Sequence, residues 1–513
     1  MLRVARCAIS AILAALTLGG CRDPASPERP GVQASGAANV PGAPSSLVLG
    51  WDGARYLVVF AGDQAPPDFA ERVSALGGVV DTILDGVGLA VASGLTDPAA
   101  RELRSAPGVM AVEPDLILGA EAADELAAAD LGVADATEVA MGSSAAPTDA
   151  PTGAAFYARQ WNLRAIGADV AWAAGYLGSP EVRVAILDTG IDYMNDDLAK
   201  HVDLSRSKSL LYLSHSCTTA EPGQPSGNED ELVKSKFPER LPFTDLHSHG
   251  TAVAALIASD AHLLAGVTQR TTLFSVKVHD RFRKNCVSVY LAGIIYAADH
   301  GADVIHLSIP LAFSKDSFPG VVSAVNRAAN YAHLKGAVMV AAAGNDTADF
   351  DHDGTRFKFC NAVHVICVAA TGPTSAAGLD GPWENVDAVA PYTAFWRSTI
   401  NVAGPGGTVT PGSAATRVWL VCSGTTLFMG EPQKPCRAGK KIWSSTGTTF
   451  AAAATSGLAA LLISRMGKGQ PDRIRAVMEQ SADDLGDPGT DPYYGKGRIN
   501  VARAVGLPDQ PQP

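Results

Sequence analysis

Nearly continuous runs of apolar residues alternate with segments of helical spacing through the last two thirds of this chain. The five clearest runs span residues 182–187, 273–278, 304–309, 338–342 and 363–369. Strands that are apolar on both faces are typical of parallel sheets covered by helices on both sides. The pattern therefore predicts an α/β domain, which we place at residues 158–507 and which a short tail at 508–513 follows.

A smaller unit with a different pattern precedes this domain. Between residues 46 and 120, strand-like and helical segments follow one another in the order β-α-β-β-α-β. Gly77-Gly78 ends the first helical segment, and Asp85-Gly86 indicates a hairpin between two short apolar runs. The order is that of ferredoxin-like domains, so we predict a small α+β domain at residues 46–120.

The first 21 residues have the features of an export signal. A positively charged start precedes an apolar run at residues 8–18, which is too short to span a bilayer. The run leads into a Leu-Gly-Gly-Cys sequence that ends at Cys21 and is similar to a bacterial lipobox. We therefore expect an exported protein with a lipid on Cys21 that anchors it to the cell envelope, with the outer membrane as the expected membrane. An ordinary signal peptide and a secreted protein are the alternative.

Composition limits the classes of function. The chain has 513 residues, of which 47% are hydrophobic and 18% charged, so most of it is expected to fold around a large core. The net charge of −12 disfavours nucleic acid as a partner, because phosphate binding requires a basic face. Two segments depart from this globular composition. Residues 22–45 are expected to be a flexible tether, and the Ala-rich residues 121–157 a linker.

Six cysteines remain after the export signal, and their number favours disulfides in an oxidising compartment. They are Cys217, Cys286, Cys360, Cys367, Cys422 and Cys436. The two short intervals, Cys360 to Cys367 and Cys422 to Cys436, favour local bridges, which would leave Cys217 to pair with Cys286. Buried free thiols are the alternative. Metal binding is disfavoured because no CxxC pair or neighbouring histidine spacing accompanies these residues.

Three polar residues lie where predicted strands meet helices. Asp188 follows an apolar run, and His249 and Thr449 each open an Ala-rich helical segment. Side chains at the carboxyl ends of parallel strands converge on one edge of the sheet. An acid, an imidazole and a hydroxyl brought together there are the groups of nucleophilic acyl transfer. Taken singly, each residue is also compatible with an ordinary turn or helix cap.

In this order, and together with three further motifs, these residues resemble the subtilase family of serine proteases. Residues 301–308 are similar to the strand that lines the family's substrate cleft, residues 340–346 to its oxyanion motif, and residues 402–407 to the loop before its nucleophile. The resemblance covers about residues 160–505. It implies a subtilisin-like parallel seven-stranded sheet flanked by helices, with residues 46–120 as the inhibitory propeptide.

The resemblance also implies the role of each site residue. Asp188 is expected to orient His249, which takes the hydroxyl proton as general base. Asn345 is expected to donate its side-chain amide to the oxyanion. Ser308 and Gly344 are expected to bind an extended peptide or protein substrate, with the strand of Ser308 pairing to it. This chemistry requires no cofactor.

The sequence departs from the family at the nucleophile. The family pattern is Gly-Thr-Ser-Met-Ala, whereas residues 447–451 are Gly-Thr-Thr-Phe-Ala, so Thr449 stands where the serine belongs. Its methyl group lies on a stiff β-branched carbon and is expected to crowd the reacting atoms. Further departures around the same cleft are Ser248 for Gly, Ala252 for His, His306 for Asn, Pro310 for Gly, and Ala453 and Ala454 for Pro-His.

Two functions follow from this combination. The first is an endopeptidase made as a zymogen, slow because it uses Thr449, and cut between about residues 115 and 160. The second is a pseudoprotease that binds peptides at the cell surface.

An acidic segment at Asp349, Asp351 and Asp353 resembles the front of a calcium-binding loop. Cys360 occupies the position where such a loop needs a bidentate glutamate, and an acidic surface turn is the favoured interpretation. Calcium is therefore a possible ligand rather than a required one.

Overall fold

The computed structural model describes residues 48–50, 54–119, 150–214, 229–309, 312–352, 354–409, 414–427 and 434–508. All of them belong to the unit Ala38–Pro513. The predicted export signal with Cys21, the tether and most of the predicted linker lie outside the described residues. The same holds for Cys217, Pro310 and Asp353.

A small antiparallel α+β domain forms the N-terminal part. Its elements are β1 (Val48–Gly50), β2 (Tyr56–Phe60), α1 (Phe69–Ala75), β3 (Val79–Leu84), β4 (Leu89–Ser93), α2 (Asp97–Arg104), β5 (Val109–Pro114) and β6 (Ile117–Leu118). Strands β2 to β5 form one sheet in the order β3-β4-β2-β5, and all of its pairs are antiparallel. Phe60 and Phe69 meet edge to face in its core, with ring centroids 4.8 Å apart. The predicted β-α-β-β-α-β order is confirmed.

The large domain is built on a mostly parallel sheet. Its strands are β7 (Arg183–Asp188), β8 (Lys208–Ser209), β9 (Thr272–Lys277), β10 (Asn285–Cys286), β11 (Val304–Leu307), β12 (Phe313–Ser314), β13 (Val338–Ala342), β14 (Arg356–Phe357), β15 (Val365–Gly372), β16 (Ser375–Ala376), β17 (Trp383–Glu384), β18 (Ala388–Val389), β19 (Ile400–Pro405), β20 (Val418–Val421) and β21 (Ile442–Ser445). The sheet runs β18-β15-β13-β11-β7-β9-β8, and β19 also pairs with β15. Seven of these strands are parallel and β18 is antiparallel, so the predicted seven-stranded parallel sheet is confirmed.

Helices cover both faces of this sheet. They are α3 (Trp161–Ala165), α4 (Ala168–Ala173), α5 (Glu229–Lys236), α6 (His249–Ile257), α7 (Val287–Asp299), α8 (Pro319–Leu334), α9 (Lys434–Arg437), α10 (Thr448–Met466), α11 (Pro471–Gln480) and α12 (Val501–Ala504). Among the described helices, α10 alone is long and apolar enough to cross a membrane. Of its apolar stretch, 83% is buried inside the fold, which is typical of a core helix.

The small domain contacts the large one through backbone pairing. Strand β6 lies between β1 and β10 in a three-stranded antiparallel sheet, so both of its edges are paired. The chain that leaves the small domain thus continues along a strand of the large domain.

Two carboxylates of the small domain also reach helix N-termini of the large one. The oxygens of Glu113 accept hydrogen bonds from the backbone N–H groups of Gly320 and Val321, at the start of α8, at 2.8 and 2.9 Å. Asp115 accepts one from the N–H of Ser288, at the start of α7, at 2.9 Å. Anionic groups satisfy the unpaired N–H groups of a helix start and complement its dipole. The two domains are therefore joined by charge as well as by strand pairing.

The large domain begins earlier than its expected start at residue 158. Residues 151–153 form a short 3-10 helix, Ala154 is buried, and Phe156 packs against the core of the large domain. The apolar side chains at the end of the predicted linker explain the difference, because they have a core surface to cover.

Both short-range disulfides are present, Cys360 with Cys367 and Cys422 with Cys436. Cys286 is also disulfide-bonded. The expected partner of Cys286 lies outside the described residues, so that pairing stays a prediction.

Candidate active site

Asp188 is the last residue of β7, at the carboxyl edge of the sheet, and it is fully buried. Both of its carboxylate oxygens lie 2.9 Å from Nδ1 of His249, the first residue of α6. Burial opposes ionisation of Asp188, but the charge and hydrogen bond of His249 outweigh it and hold the pKa of this carboxyl well below its usual range. An ionised Asp188 fixes the imidazole by accepting the Nδ1 hydrogen, which leaves Nε2 as the proton acceptor.

Helix α6 approaches β7 closely at Gly250. A Cβ at this position would lie 2.1 Å from the carbonyl oxygen of Gly190 and 3.1 Å from Cβ of Asp188. Any larger residue would therefore push His249 away from its carboxylate.

Asp245 organises the loop that leads into α6. One of its carboxylate oxygens accepts hydrogen bonds from the backbone N–H groups of the two residues before His249 and from the hydroxyl of Thr189. The other oxygen accepts hydrogen bonds from the backbone N–H and hydroxyl of Thr251. Asp245 is fully buried, and burial raises its pKa. The sequence motif contained this residue, but its positioning role becomes clear only from these contacts.

Ser248, the residue before His249, has a φ of 82°, in the left-handed region. Such a conformation costs a residue other than glycine about 1–2 kcal/mol. The hydroxyl of Ser248 lies 2.5 Å from that of Thr426 and accepts a hydrogen bond from the backbone N–H of Ser423 at 3.0 Å. These contacts offset the strain and explain how serine is tolerated where the subtilase pattern has glycine.

Ser423 and Thr426 follow β20 in the segment from residue 418 to residue 445, which we call the insertion and whose role no sequence pattern indicates. The insertion forms an antiparallel pair of strands, β20 and β21, which the Cys422–Cys436 disulfide closes. Strand β21 ends two residues before Gly447, the N-cap of α10. The insertion therefore contacts the histidine loop at one end and leads into the nucleophile position at the other.

Thr449 is the second residue of α10 and is 4% exposed. Its Oγ1 lies 3.1 Å from the point that a Cβ on Gly447 would occupy, and Nδ2 of Asn345 lies 3.7 Å from the same point. The Thr449 hydroxyl and the Asn345 amide therefore both lie next to the same space beside Gly447. Within the described part of the chain, the hydrogen bonds of the His249 imidazole go to Asp188, and none joins it to the Thr449 hydroxyl.

Asn345 follows β13, and contacts with the start of α10 fix the orientation of its amide. Its Oδ1 accepts hydrogen bonds from the backbone N–H and the hydroxyl of Thr448, both at 2.9 Å. The Thr448 hydroxyl in turn accepts one from the backbone N–H of Gly344 at 3.1 Å. With Oδ1 occupied in this way, Nδ2 is the group that Asn345 turns towards the space beside Gly447. The binding of substrate by Gly344 stays a prediction.

Three further imidazoles interact electrostatically with Asp188 or His249. They belong to His247, His279 and His306, and all are buried. Burial lowers the pKa of each, to about 3 for His279 and about 4 for His306. These three imidazoles are therefore neutral near pH 7, so His249 is the histidine that pairs with the negative charge of Asp188. No sequence motif places His279 in the site.

His306 connects two elements of the site. Its Nδ1 lies 2.9 Å from the hydroxyl of Ser456 in α10, and its Nε2 lies 2.7 Å from the hydroxyl of Ser308. Ser308 is fully buried, so its hydroxyl is engaged inside the fold. The backbone of Ser308, and not its hydroxyl, would therefore bind the substrate, and this role stays a prediction.

Phe450 lies beside the imidazole of His249. The two ring centroids are 5.8 Å apart, with an angle of 38° between the ring planes. This aromatic ring stands where the subtilase pattern has methionine, and it adds apolar cover to one side of the His249 imidazole.

The acidic segment at Asp349 and Asp351 uses its carboxylates within the protein. Asp349 Oδ2 lies 2.7 Å from Nδ1 of His352, and Asp351 accepts hydrogen bonds from the backbone N–H of Arg397 and the hydroxyl of Ser398. These contacts suit the acidic surface turn, since they occupy oxygens that calcium would need. Calcium binding stays a prediction.

The family model for the subtilase family, peptidase S8, matches residues 179–497. The chain is 28% identical to a thermophilic serine proteinase of Bacillus sp. (strain AK1) over 340 residues, which cover 66% of this chain and 64% of that protein. It is also 28% identical to thermitase of Thermoactinomyces vulgaris over 355 residues, which cover 68% of this chain and 97% of thermitase.

Solved structures share the fold. The epidermin leader peptide processing serine protease of Staphylococcus aureus matches with a TM-score of 0.62 and 18% identity, over 89% of this chain and 99% of that one. Fervidolysin of Fervidobacterium pennivorans, a keratinolytic enzyme related to subtilisin, matches with a TM-score of 0.61 and 21% identity, over 90% of this chain and 62% of that one. The matched family segment contains Asp188, His249, Asn345 and Thr449 and covers more than half of the sequence, and the chain belongs to the subtilase family.

Proposed function

We propose that this protein is an endopeptidase of the subtilisin type in which Thr449 takes the place of the nucleophilic serine. The paired contact of 2.9 Å between each Asp188 oxygen and Nδ1 of His249 is the observation that carries the proposal. An ionised, buried carboxylate on Nδ1 makes Nε2 the acceptor for a hydroxyl proton and stabilises the imidazolium that forms.

The reaction follows from the groups at the start of α10. The Thr449 hydroxyl attacks the scissile carbonyl carbon while Nε2 of His249 takes its proton. The carbonyl oxygen gains negative charge, and Nδ2 of Asn345 donates a hydrogen bond to it. The imidazolium then returns the proton to the leaving amine, and water hydrolyses the ester on Thr449. In a subtilisin, loss of one such amide donor lowers kcat about 10²–10³-fold.

The methyl group of Thr449 limits the rate. A β-branched side chain has few rotamers at a helix start, so the hydroxyl cannot turn freely towards His249. A displacement of the reacting atom by about 1 Å lowers a rate about 100-fold. We therefore expect a slow enzyme whose chemistry is limited by the position of Thr449 Oγ1.

Thr449→Ser tests this proposal, with Thr449→Ala and His249→Ala as controls in the full chain. We expect the wild type to cleave a casein substrate slowly and Thr449→Ser to raise kcat/KM by about 100-fold or more. Both alanine variants should be inactive. A fluorophosphonate probe should label Thr449 in the wild type, and mass spectrometry of the labelled peptide identifies the residue. Wild-type activity that persists in either alanine variant would contradict the proposal.

A second candidate function is a pseudoprotease that binds peptides. The lack of a hydrogen bond between His249 and Thr449 in the described structure favours it. The edge of β10 already pairs with an extended segment, β6, so strand pairing at this edge of the large domain does not depend on catalysis. If hydrolysis and probe labelling are found only in Thr449→Ser, the natural protein is this binder.

We further propose that residues 46–120 act as the propeptide of a zymogen. The pairing of β6 with β10 and the contacts of Glu113 and Asp115 with two helix starts support this role. Cleavage between about residues 115 and 160 would release the small domain. An inactive His249→Ala precursor that is nevertheless processed as fast as wild type would show that another protease makes the cut.

We also propose that the protein is exported and anchored to the cell envelope through a lipid on Cys21, with secretion as the alternative. The short apolar run before Cys21 supports this location, which suits a peptidase with disulfides and peptide or protein substrates outside the cytoplasm.

A further inference from the structure

Three side chains with metal-ligating atoms meet away from the catalytic residues. His333 lies in the last turn of α8, Asp472 in the first turn of α11, and His364 immediately before β15. His364 therefore marks the amino end of a sheet strand, whereas Asp188 lies at the carboxyl end of its own strand. Parallel strands place these ends at opposite edges of the sheet, so the group is separate from the catalytic site.

The spacing of the three side chains is close to that of a metal site. One ligand atom from each lies within 4.8 Å of the other two. Nε2 of His333 and Oδ2 of Asp472 are 3.4 Å apart. Two ligand atoms about 2.0–2.1 Å from a tetrahedral zinc ion are about 3.3 Å from each other, so this pair already has the required separation.

The two imidazoles are held next to each other. Their ring centroids are 3.8 Å apart and their planes differ by 12°. His364 has a φ of 64°, and the backbone N–H of Val363 donates a hydrogen bond to Oδ1 of Asn326 on α8, the helix that carries His333. This contact ties the loop of His364 to the helix of His333. Metal binding would require the exposed His364 ring to turn about its side-chain bonds so that one nitrogen approaches the other two ligands.

We propose that His333, His364 and Asp472 bind a zinc ion, with water as the fourth ligand. Two imidazoles and one carboxylate form a ligand set that zinc accepts in tetrahedral geometry, and zinc binds such sites more tightly than calcium or magnesium does. The ion would join α8, the start of β15 and α11, three elements that are distant in sequence. Its effect is therefore on the stability of the folded chain.

Calorimetric titration of the metal-free, full-length chain with zinc chloride tests the site, in a preparation without a polyhistidine tag. We expect one zinc ion per chain and a rise in Tm with zinc concentration, because a ligand that binds only the folded state stabilises it. The same amount of calcium chloride should not reproduce the rise. Cobalt(II) in place of zinc should give the visible absorption of a tetrahedral site.

His364→Asn and Asp472→Asn each remove one ligand with little change of shape, and asparagine tolerates the left-handed backbone at position 364. We expect each variant to raise the Kd for zinc at least about 10–100-fold, which is the loss that even changes to outer-shell residues cause. His300→Ala is the control, since this exposed histidine at the end of α7 belongs to no such group among the described residues. No binding by the wild type, or equal Kd values in the wild type and both ligand variants, would overturn the proposal.

Discussion

The hydroxyl oxygen of Ser248 lies 2.5 Å from the hydroxyl oxygen of Thr426, 178 residues further along the chain. Ser248 precedes His249, the proposed general base, and Thr426 belongs to the insertion that the Cys422–Cys436 disulfide closes. The position of the His249 imidazole therefore depends on a segment that supplies none of the proposed catalytic groups.

Replacement of Ser248 separates backbone strain from side-chain bonding. Ser248→Ala keeps the left-handed strain and loses both hydroxyl contacts, so we expect it to lower the free energy of unfolding by about 2 kcal/mol. Ser248→Gly loses the same contacts but removes the strain, and we expect it to lie within about 1 kcal/mol of wild type. Urea unfolding at neutral pH measures both values.

Thr426→Val is the matched control for this pair. It keeps the shape of the side chain and leaves the Ser248 backbone as it is. It removes the hydroxyl that contacts Ser248 and that also donates to the carbonyl oxygen of Ser423, with an expected loss of about 2 kcal/mol. Equal stability of Ser248→Ala and Ser248→Gly would show that the backbone at residue 248 is not strained.

Glu113 should control the contact between the two domains at α8. Glu113→Gln keeps the shape of the side chain but replaces an acceptor oxygen by a donor amide, so one of the two N–H groups at the helix start loses its partner. We expect a loss of about 1–2 kcal/mol. Hydrogen exchange at the amides of Gly320 and Val321 measures the local effect. Glu102→Gln, on the exposed face of α2, should leave this exchange unchanged.

Stability should depend on pH through His306. Its pKa falls from the usual 6.5 to about 4 on folding, because burial disfavours the cation. The group therefore contributes stability that is complete above pH 6.5 and is lost as pH falls towards 4, at up to about 1.4 kcal/mol per pH unit. The stability of the wild type relative to His306→Asn should fall by about 3 kcal/mol between pH 7 and pH 4.

Ser456→Ala is the control for this pH experiment. It removes one hydrogen-bond partner of His306 but keeps the titrating ring, so it should lower stability by a similar amount at both pH values. A constant difference between wild type and His306→Asn from pH 7 to pH 4 would exclude His306 as the source of the pH dependence.

Cys21 should decide where the protein is found. Cys21→Ser removes the thiol that a lipid would modify, and we expect the variant to move from the membrane fraction to the soluble fraction after cell lysis. Fractionation and immunoblotting against the small domain, which stays joined to Cys21 whether or not the chain is cut after it, measure the distribution. Cys7→Ser changes a cysteine earlier in the export signal and should leave the protein in the membrane fraction. Continued membrane association of Cys21→Ser would contradict the lipid anchor.

The sequence predicted those parts of the fold that have strong local patterns. All five apolar runs form parallel strands, since a strand buried on both faces needs an unbroken apolar sequence. The sequence did not predict strand β8, because a strand of two residues is too short to show an alternating pattern of apolar and polar positions. Strand β19 lies in the segment that was assigned to the loop before the nucleophile, where glycine and proline obscure the β pattern.

The sequence predicted the reacting groups of the site but not the residues that hold these groups in position. Asp188, His249, Asn345 and Thr449 stand in motifs, and the structure brings their side chains to one edge of the sheet. The partners that hold them are distant in sequence and chemically ordinary. A hydrogen bond joins Ser248 to Thr426, 178 residues away, and another joins His306 to Ser456, 150 residues away. No local sequence pattern encodes such contacts.

The two paired edges of β6 have a kinetic consequence. Strand β1 belongs to the small domain, so β6 leaves β10 together with β1, and the β1–β6 ladder keeps β6 extended until its bonds to β10 break. A cut in the chain after β6 changes neither ladder. The small domain should therefore leave with a lag after cleavage, and the length of that lag is set by the rate at which β6 separates from β10 rather than by the rate of the cut.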